Sequence, residues 1–258
     1  MILRTGERVV FIGDSITDCG RRQQAAPYGD GYVSLVRAFV TARHPDLDLT
    51  WVNRGVSGDT VRDLAARWEQ DAVGERPDWL SVMIGINDIW RRYTGRPAES
   101  VPIDEYERTL RGLLRRVVEA TGCRLILADP YLIEPDRAEP QRADTDRYAA
   151  VVAALAAEFD AVHVATQAAF DRALTVTAPG HWAADRVHPN LAGHAVLADA
   201  FLAALGAAAP AVPTPRNAGT APRSAGTAPT SAGTAPTSAG TAPTSAGTAP
   251  VPADDPTR

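Results

Sequence analysis

The chain has 258 residues, a formal net charge of −5 and 26 basic residues, all of which are arginine. The acidic balance does not favour a nucleic-acid partner, and no apolar run approaches the roughly 20 residues of a membrane-spanning helix, so we expect neither nucleic-acid binding nor membrane insertion. The absence of lysine excludes a Schiff-base lysine, a serine–lysine dyad and a phosphate-binding P-loop lysine.

Short apolar, β-branched segments alternate along the chain with longer segments of helical periodicity. Strands are predicted at 8–13, 49–53, 79–85, 124–129 and 161–165, and helices at 31–43, 60–73, 104–121, 143–159 and 191–205. Asn190 and Gly206 lie where the N-cap and the terminal glycine of the last helix are expected. The alternation predicts an α/β fold, with helices on both faces of a parallel sheet.

The composition changes from about Ala209 onward. Residues 217–251 are five tandem heptads of small residues with one proline each, such as "SAGTAPT". Such a sequence cannot bury enough apolar surface to offset the conformational entropy of the chain. We therefore expect a disordered tail over 209–258 and one domain of ordinary α/β size over 1–208.

Cysteine content and the N-terminal sequence bear on the cellular environment. Cys19 and Cys123 are too few for a disulfide framework or a zinc cluster, so two free thiols are expected, with a single bridge left open. The first predicted strand begins within ten residues of Met1, leaving no room for a signal peptide, so a cytoplasmic location is expected. The oligomeric state is left open, and no cofactor or metal is implied.

Polar clusters follow three of the predicted strands and precede the last helix. These are "GDSITD" after the first strand, "NRGVSGDT" after the second, "GIND" after the third, and "DRVHPN" before the helix at 191–205. Ligands of parallel α/β sheets bind beyond the carboxyl ends of the strands, so all four clusters are expected to line one cleft. Each cluster alone is typical of an ordinary turn, and it is their order and placement that favour a functional site.

Together the clusters contain the groups that acyl transfer needs. Ser15 offers a hydroxyl, His188 a base, and Asp185 a carboxylate three residues before that base. Donors to a developing oxyanion are available from the backbone N–H groups of Ser15 and Gly58 and from the side-chain amide of Asn87.

"FIGDSIT", "NRGVSGDT", "GIND" and "DRVHPN", in this order, resemble the four signature blocks of the SGNH hydrolases, also called GDSL esterases. The resemblance implies a flavodoxin-like three-layer α/β/α sandwich with a five-stranded parallel sheet. It implies that Ser15 is the nucleophile of a triad with His188 and Asp185, and that Ser15, Gly58 and Asn87 form the oxyanion hole. The flanking stretches "GDSITDCGRR" and "IGINDIWRRY" are similar to the branch that contains rhamnogalacturonan acetylesterases, which implies hydrolysis of short-chain, acetyl esters of a small-molecule or oligosaccharide substrate.

Other residues near these motifs have less specific interpretations. Asp14, Asp59 and Asp88 are expected to shape turns and cap helices rather than to react. Aromatic and basic side chains flanking the motifs are expected at the rim of a substrate pocket, with solvated arginines and rim-packed tryptophans as the alternative. These are Trp90, Arg91, His181 and Trp182, together with Arg21, Arg22 and Arg92.

Three alternatives stay open from the residues alone. A metal-dependent phosphoesterase would need further ligand motifs that the chain lacks, and its five histidines are scattered. A non-catalytic carbohydrate-binding module would be expected to lack a triad member. A lysophospholipase or thioesterase of the same family would be expected to carry apolar loops near the site, whereas the loops here are rich in Arg, Asp and Pro.

Overall fold

The computed structural model describes residues 1–207, so the predicted tail over 209–258 lies outside the described residues. Five parallel strands form one sheet in the order β2-β1-β3-β4-β5. Their bounds are Arg8–Gly13 (β1), Thr50–Gly55 (β2), Trp79–Met83 (β3), Arg124–Ala128 (β4) and Val162–Val164 (β5). This strand order is that of flavodoxin-like folds, with a switch of direction between β1 and β3. The predicted fold class is confirmed.

Helices cover both faces of the sheet. Within residues 1–207 the α-helices are Ser15–Asp18 (α1), Tyr32–Arg43 (α2), Val61–Trp68 (α3), Ile86–Tyr93 (α4), Ile103–Thr121 (α5), Pro140–Glu158 (α6), Thr166–Ala173 (α7) and Leu191–Ala204 (α8). Five of them correspond to the predicted helices, with α3 continued by a π-helical turn over Glu69–Val73. The sequence did not predict α1, α4 or α7.

The central strands are apolar on both sides because both faces of the sheet are covered. Along β1, Val9 and Phe11 belong to the core shared with α2 and α8, while Val10 and Ile12 belong to the core shared with α3, α5 and α6. This alternation follows from the two-residue period of a strand. It explains why the sequence of β1 is a continuous apolar run rather than an alternating one.

Side chains fix the ends of the helices near the carboxyl edge of the sheet. Thr60 and Asp63 form a reciprocal capping box at the start of α3. Asn190 accepts a hydrogen bond from the Gly193 N–H and so caps α8 as predicted, and Gly206 beyond its end has a φ of +66°.

Two further expectations concern the state of the cysteines and the absence of a membrane-spanning helix. Cys19 and Cys123 are both free thiols, one half-buried and one buried. Among residues 1–207 no helix combines the length and the apolar character that crossing a membrane requires.

Candidate active site

Ser15 is held where β1 ends and α1 begins. Asp14 is the N-cap of α1, and its Oδ1 accepts a hydrogen bond of 3.0 Å from the Ile16 N–H. Gly13 precedes this turn because a Cβ there would clash with the Met83 carbonyl on β3 and with the Thr17 side chain. The turn therefore presents Ser15 as the first residue of α1, beyond the carboxyl end of β1.

The structure brings Ser15, His188 and Asp185 together although they are far apart in the sequence. Ser15 Oγ lies 2.9 Å from His188 Nε2, and His188 Nδ1 lies 2.7 Å from Asp185 Oδ2. The other oxygen of Asp185 accepts the backbone N–H groups of Val187 at 3.0 Å and His188 at 2.8 Å. These two backbone bonds fix the carboxylate in the loop that carries the histidine.

The same contacts set the charge of Asp185. Burial alone would raise the pKa of its carboxyl, but hydrogen bonds from the His188 ring, the His188 N–H and the Val187 N–H bring the pKa below its usual value. The side chains of Asp185 and His188 are both 42% exposed, so the pair lies in an open cleft. An ionised Asp185 holds His188 as the Nδ1–H tautomer, which leaves Nε2 free to accept the Ser15 proton.

Gly58 lies in the loop after β2, and Asn87 lies in α4, the helix that follows β3. Gly58 has a φ of +86°, and no atom lies within 4 Å of the position where its Cβ would be, so the backbone there is open to a ligand. Asn87 is buried in the first turn of α4, and its Nδ2 donates a hydrogen bond of 3.0 Å to the Asp59 carbonyl. An amide nitrogen carries two donors, so the second N–H of Asn87 is available to another acceptor.

Three side chains of α4 bind the loop that contains Gly58 or the first residue of α3, which follows that loop. Besides the bond from Asn87, Asp88 Oδ1 accepts the Val61 N–H at 3.0 Å, and Arg91 Nη2 donates to the Gly58 carbonyl at 2.5 Å. The positions 87, 88 and 91 share one side of the helix, as the spacing of an α-helix requires. α4 is a helix that the sequence did not predict, although the apolar Ile86 and Ile89 at helical spacing were a signal for it.

The residues of α4 that were predicted at the rim of the substrate pocket differ in the groups that they contact. The Trp90 ring packs edge-on against His188, with ring centroids 5.4 Å apart, so Trp90 forms one wall of the cleft. Arg91 donates a hydrogen bond to the Gly58 carbonyl, and its Nε lies 3.7 Å from Glu99 Oε2. Arg92 Nη1 lies 2.8 Å from Asp144 Oδ2. These contacts bind both guanidinium groups to protein acceptors, and a role of Arg91 in substrate binding stays a prediction.

His181 and Trp182 precede the loop that carries Asp185. Their rings pack edge-on, with centroids 4.6 Å apart, and Trp182 Nε1 donates to Thr177 Oγ1 at 2.7 Å. The backbone carbonyls of both residues accept hydrogen bonds from Asn190, whose N–H bonds Trp182 and whose side chain bonds His181. The contacts observed at this pair tie the segment before Asp185 to the start of α8.

The buried carboxyl groups behind the site have raised pKa values. Burial raises the pKa of Asp14 and of Asp88 to about 7 each. Burial also raises the pKa of Asp59, although the Arg67 guanidinium binds that carboxylate at 2.7 Å and opposes the rise. Within the described residues Asp88 Oδ2 has no hydrogen-bond partner.

Cys19 and His194 form a neutral pair behind α1. Their Sγ and Nε2 atoms lie 3.4 Å apart, and His194 Nδ1 accepts the Tyr32 N–H at 3.2 Å. Burial raises the pKa of the Cys19 thiol to about 12 and lowers the pKa of His194 to about 4, so this is not a thiolate–imidazolium pair. Over residues 1–207 no three His, Cys, Asp or Glu side chains are grouped so as to hold a metal ion.

Comparison with known proteins shows the family of this chain. Residues 11–196 match the model of the GDSL-like lipase/acylhydrolase family. The chain belongs to this family. The family resemblance found in the four sequence blocks is thus confirmed, and with it the prediction of a carboxylic ester hydrolase.

This GDSL-family chain aligns with nearly the whole length of two relatives. An acetylxylan esterase from Geobacillus stearothermophilus is 45% identical over 213 residues, which are 80% of this chain and 97% of that enzyme. Its crystal structure has a TM-score of 0.77 to this chain. An alpha/beta hydrolase enzyme from the metagenome of Lake Arreo, Spain, is 44% identical, covers 80% of this chain and 98% of its own, and also has a TM-score of 0.77.

The acetylxylan esterase has also been solved as three catalytic mutants. In these a serine, an aspartate and a histidine are each replaced by alanine, and the aspartate lies three positions before the histidine. In this GDSL-family chain Asp185 and His188 have the same spacing, and residue 15 is also a serine.

Proposed function

We propose that this protein is a serine esterase that removes acetyl groups from carbohydrate esters. Ser15 is the nucleophile, His188 the general base and Asp185 the group that orients that base. The observation that carries the proposal is the continuous hydrogen-bond chain from Ser15 Oγ through the imidazole to the Asp185 carboxylate, with links of 2.9 Å and 2.7 Å. This is the arrangement that activates a serine hydroxyl at neutral pH.

The first step forms an acyl-enzyme. His188 Nε2 takes the Ser15 proton as Oγ attacks the ester carbonyl, and a C–O bond to the enzyme forms. The tetrahedral oxyanion accepts hydrogen bonds from the N–H groups of Ser15 and Gly58 and from the Asn87 amide. When the intermediate collapses, the bond to the sugar oxygen breaks and His188 returns its proton to that leaving oxygen.

The second step releases the acid by the same route in reverse. His188 takes a proton from water as the water oxygen attacks the acetyl carbonyl, and the bond to Ser15 Oγ breaks with return of the proton to the serine. Asp185 stays ionised through the cycle, because its lowered pKa favours the carboxylate beside an imidazolium. No group beyond the ester and water is consumed.

The acetyl and carbohydrate parts of the proposal have separate support. The relative that is 45% identical is an acetylxylan esterase, which is itself a carbohydrate acetylesterase. The loops that carry the site, such as "DSITDCGRRQQ", are rich in charged and amide side chains, which suits a polar alcohol better than the long acyl chain of a lysophospholipase or thioesterase substrate. The cytoplasmic location stays a prediction, as does the absence of a nucleic-acid partner.

Substitution of the nucleophile tests the proposal. Ser15→Ala is expected to lower kcat on p-nitrophenyl acetate and on acetylated xylo-oligosaccharides by about 10⁴-fold or more, because the remaining residues supply only binding and oxyanion stabilisation. Ser100→Ala, which removes a hydroxyl that bonds only the nearby Pro97 carbonyl among residues 1–207, is the matched control. Near-normal turnover by Ser15→Ala would refute the mechanism, and rates that rise with acyl length across p-nitrophenyl esters would refute the acetyl preference.

A further inference from the structure

Arg67 lies in the last turn of α3 and donates four hydrogen bonds at the carboxyl edge of the sheet. Its Nε donates to Asp59 Oδ2 at 2.7 Å, and its Nη2 donates to the Gly13 carbonyl at 3.1 Å. Its Nη1 donates to the Arg54 carbonyl at 2.6 Å and to Asp71 Oδ2 at 2.9 Å. One guanidinium thus holds the ends of β1 and β2 together with the loop that follows β2.

The Gly13 carbonyl belongs to the turn that presents the proposed nucleophile. Gly13 ends β1 and is followed by Asp14, the N-cap of α1, and by Ser15. Besides the bond from Arg67, this carbonyl accepts the Val56 N–H at 2.9 Å. A carbonyl oxygen has two lone pairs, so both have a donor here. The turn is therefore tied to the start of the loop after β2 both directly and through Arg67.

Asp59 belongs to the same loop and adjoins two of the proposed oxyanion donors. It follows Gly58 in the chain, and its backbone carbonyl accepts a hydrogen bond of 3.0 Å from Asn87 Nδ2. Its side chain is only 10% exposed, and its carboxylate is the group that Arg67 Nε binds. A carboxylate in this position without a cation would oppose the negative charge of a developing oxyanion. Arg67 therefore neutralises Asp59 as well as holding it.

The guanidinium of Arg67 is occupied by protein acceptors. Its side chain is 16% exposed, and four of its five N–H groups donate to acceptors within residues 1–207. Leu64 and Trp68, on neighbouring positions of α3, are buried in the core of that face of the sheet, which fixes the helix that carries Arg67. The contacts of Arg67 thus indicate an effect on the position of other groups rather than contact with a substrate.

We propose that Arg67 is a positioning residue for ester hydrolysis, which holds the turn of Ser15 and the loop of Gly58 at the separation where their N–H groups meet one oxyanion. The inference rests on the proposed function and adds a residue that acts through Gly13 and Asp59. The oxyanion develops only as the ester is attacked, so the contribution of Arg67 is made in the transition state. A loss of kcat with little change in KM is the expected signature.

Replacement of Arg67 by alanine tests the role. Arg67→Ala should lower kcat on p-nitrophenyl acetate about 10²-fold with KM within about twofold of wild type, as expected when a donor is displaced by about 1 Å. Asp71→Ala is the matched control, because it removes a bond of the same guanidinium that leads to no residue of the proposed site. The control should lower the thermal stability but leave kcat near that of wild type. Equal losses of kcat in the two variants would overturn the inference, because Arg67 would then act through stability alone.

A milder variant keeps the test decisive if Arg67→Ala folds poorly. Arg67→Lys retains the charge but has one nitrogen in place of the three that reach separate acceptors, so kcat should stay at least about tenfold below that of wild type. Wild-type kcat in Arg67→Lys would overturn the inference, since neutralisation of Asp59 would then be sufficient.

Chemical rescue separates a missing donor group from a general loss of structure. Guanidinium chloride, added to Arg67→Ala far below the concentration that unfolds proteins, should raise kcat several-fold by occupying the vacated position. Ammonium chloride at the same concentration should not, because it lacks the planar arrangement of donors. An equal response to the two salts would overturn the inference.

The failure of this inference can be told from a failure of the proposed function. If Ser15→Ala is inactive while Arg67→Ala and Arg67→Lys keep the kcat of wild type, the positioning role is wrong and the proposed function stands. If Ser15→Ala keeps near-normal turnover, the proposed function fails and the positioning role with it. The loss of kcat in Arg67→Ala should be similar on p-nitrophenyl acetate and on acetylated xylo-oligosaccharides, because both esters form the same oxyanion. A loss confined to the sugar substrate would contradict the assigned role.

Discussion

Replacement of Asp14 by asparagine is expected to change how the stability of the protein depends on pH. Asp14 is 1% exposed, and burial raises the pKa of its carboxyl from 3.8 to about 7; the Ile16 N–H opposes this rise and the charges of Asp88 and Asp59 add to it. In the unfolded chain the same carboxyl ionises near pH 4. Between about pH 4 and pH 7 the native state therefore holds a proton that the unfolded state has lost.

The sign of the effect follows from this proton. Stability falls with rising pH wherever the native state binds more protons than the unfolded state, so the free energy of unfolding decreases through this window and levels off above about pH 7. For one carboxyl whose pKa is 3.8 unfolded and about 7 folded, the loss between about pH 5 and about pH 8 is roughly 2 to 3 kcal/mol. This is a large part of the stability of an ordinary domain.

Asparagine removes the titration while keeping the local structure. Its side-chain oxygen can accept the Ile16 N–H as Asp14 Oδ1 does, and asparagine is as good an N-cap as aspartate. Urea unfolding followed by circular dichroism at several values from about pH 5 to about pH 8 gives the free energies of both proteins. The stability of Asp14→Asn relative to wild type should increase by roughly 2 to 3 kcal/mol across this range, because only wild type must bury a charge at the upper end.

The difference between the two proteins isolates Asp14 from other titrating groups that both of them contain. Asp104→Asn serves as the control, since Asp104 is exposed in the first turn of α5. Its curve should run parallel to that of wild type. If the gap between Asp14→Asn and wild type stays constant within about 0.5 kcal/mol over the pH range, the carboxyl does not titrate there and the reasoning is wrong.

Two further predictions concern the oxyanion loop. Asn87→Ala should lower kcat on p-nitrophenyl acetate about 10²- to 10³-fold with the protein still folded by circular dichroism, and turnover near that of wild type would remove Asn87 from the oxyanion hole. Arg91→Ala should lower kcat about tenfold with little change in KM, because the Gly58 carbonyl loses the charge-assisted bond that holds its loop. Arg92→Ala, which removes only the surface contact to Asp144, should have no such effect, and equal losses in the two variants would show that the bond to Gly58 does not matter.

The strands could be predicted from sequence to within about two residues, because burial on both faces demands continuous apolar, β-branched runs. The third strand was predicted to reach Gly85, whereas β3 ends at Met83. Gly85 has a φ of +128° and starts α4 without a side-chain cap. The usual capping signal is thus absent, and "GIND" was interpreted as a turn rather than as the first turn of a helix.

Asp185 and His188 lie between α7 and α8 rather than after a strand, so their place beside Ser15 was implied by the resemblance of the four sequence blocks. That Ser15, Gly58 and Asn87 lie at one edge of the sheet could be anticipated for a topological reason. Parallel strands bring their carboxyl ends to one edge, so segments that directly follow strands must meet there. The contact of Arg91 with the Gly58 carbonyl could not be anticipated in this way. It depends on how α4 is rotated against the loop after β2, which is set by the packing of Ile86 and Ile89 into opposite cores.

The same topology explains why the proposed catalytic groups hold their positions. Ser15, Gly58 and Asn87 lie within a few residues of strand ends, so their positions follow the rigid sheet. The connection between α1 and α2 is tied to the same sheet, because Asn53 Nδ2 on β2 donates a hydrogen bond of 2.8 Å to the Tyr28 carbonyl. Substitutions that loosen this connection should therefore also disturb the end of β2 and the loop that carries Gly58.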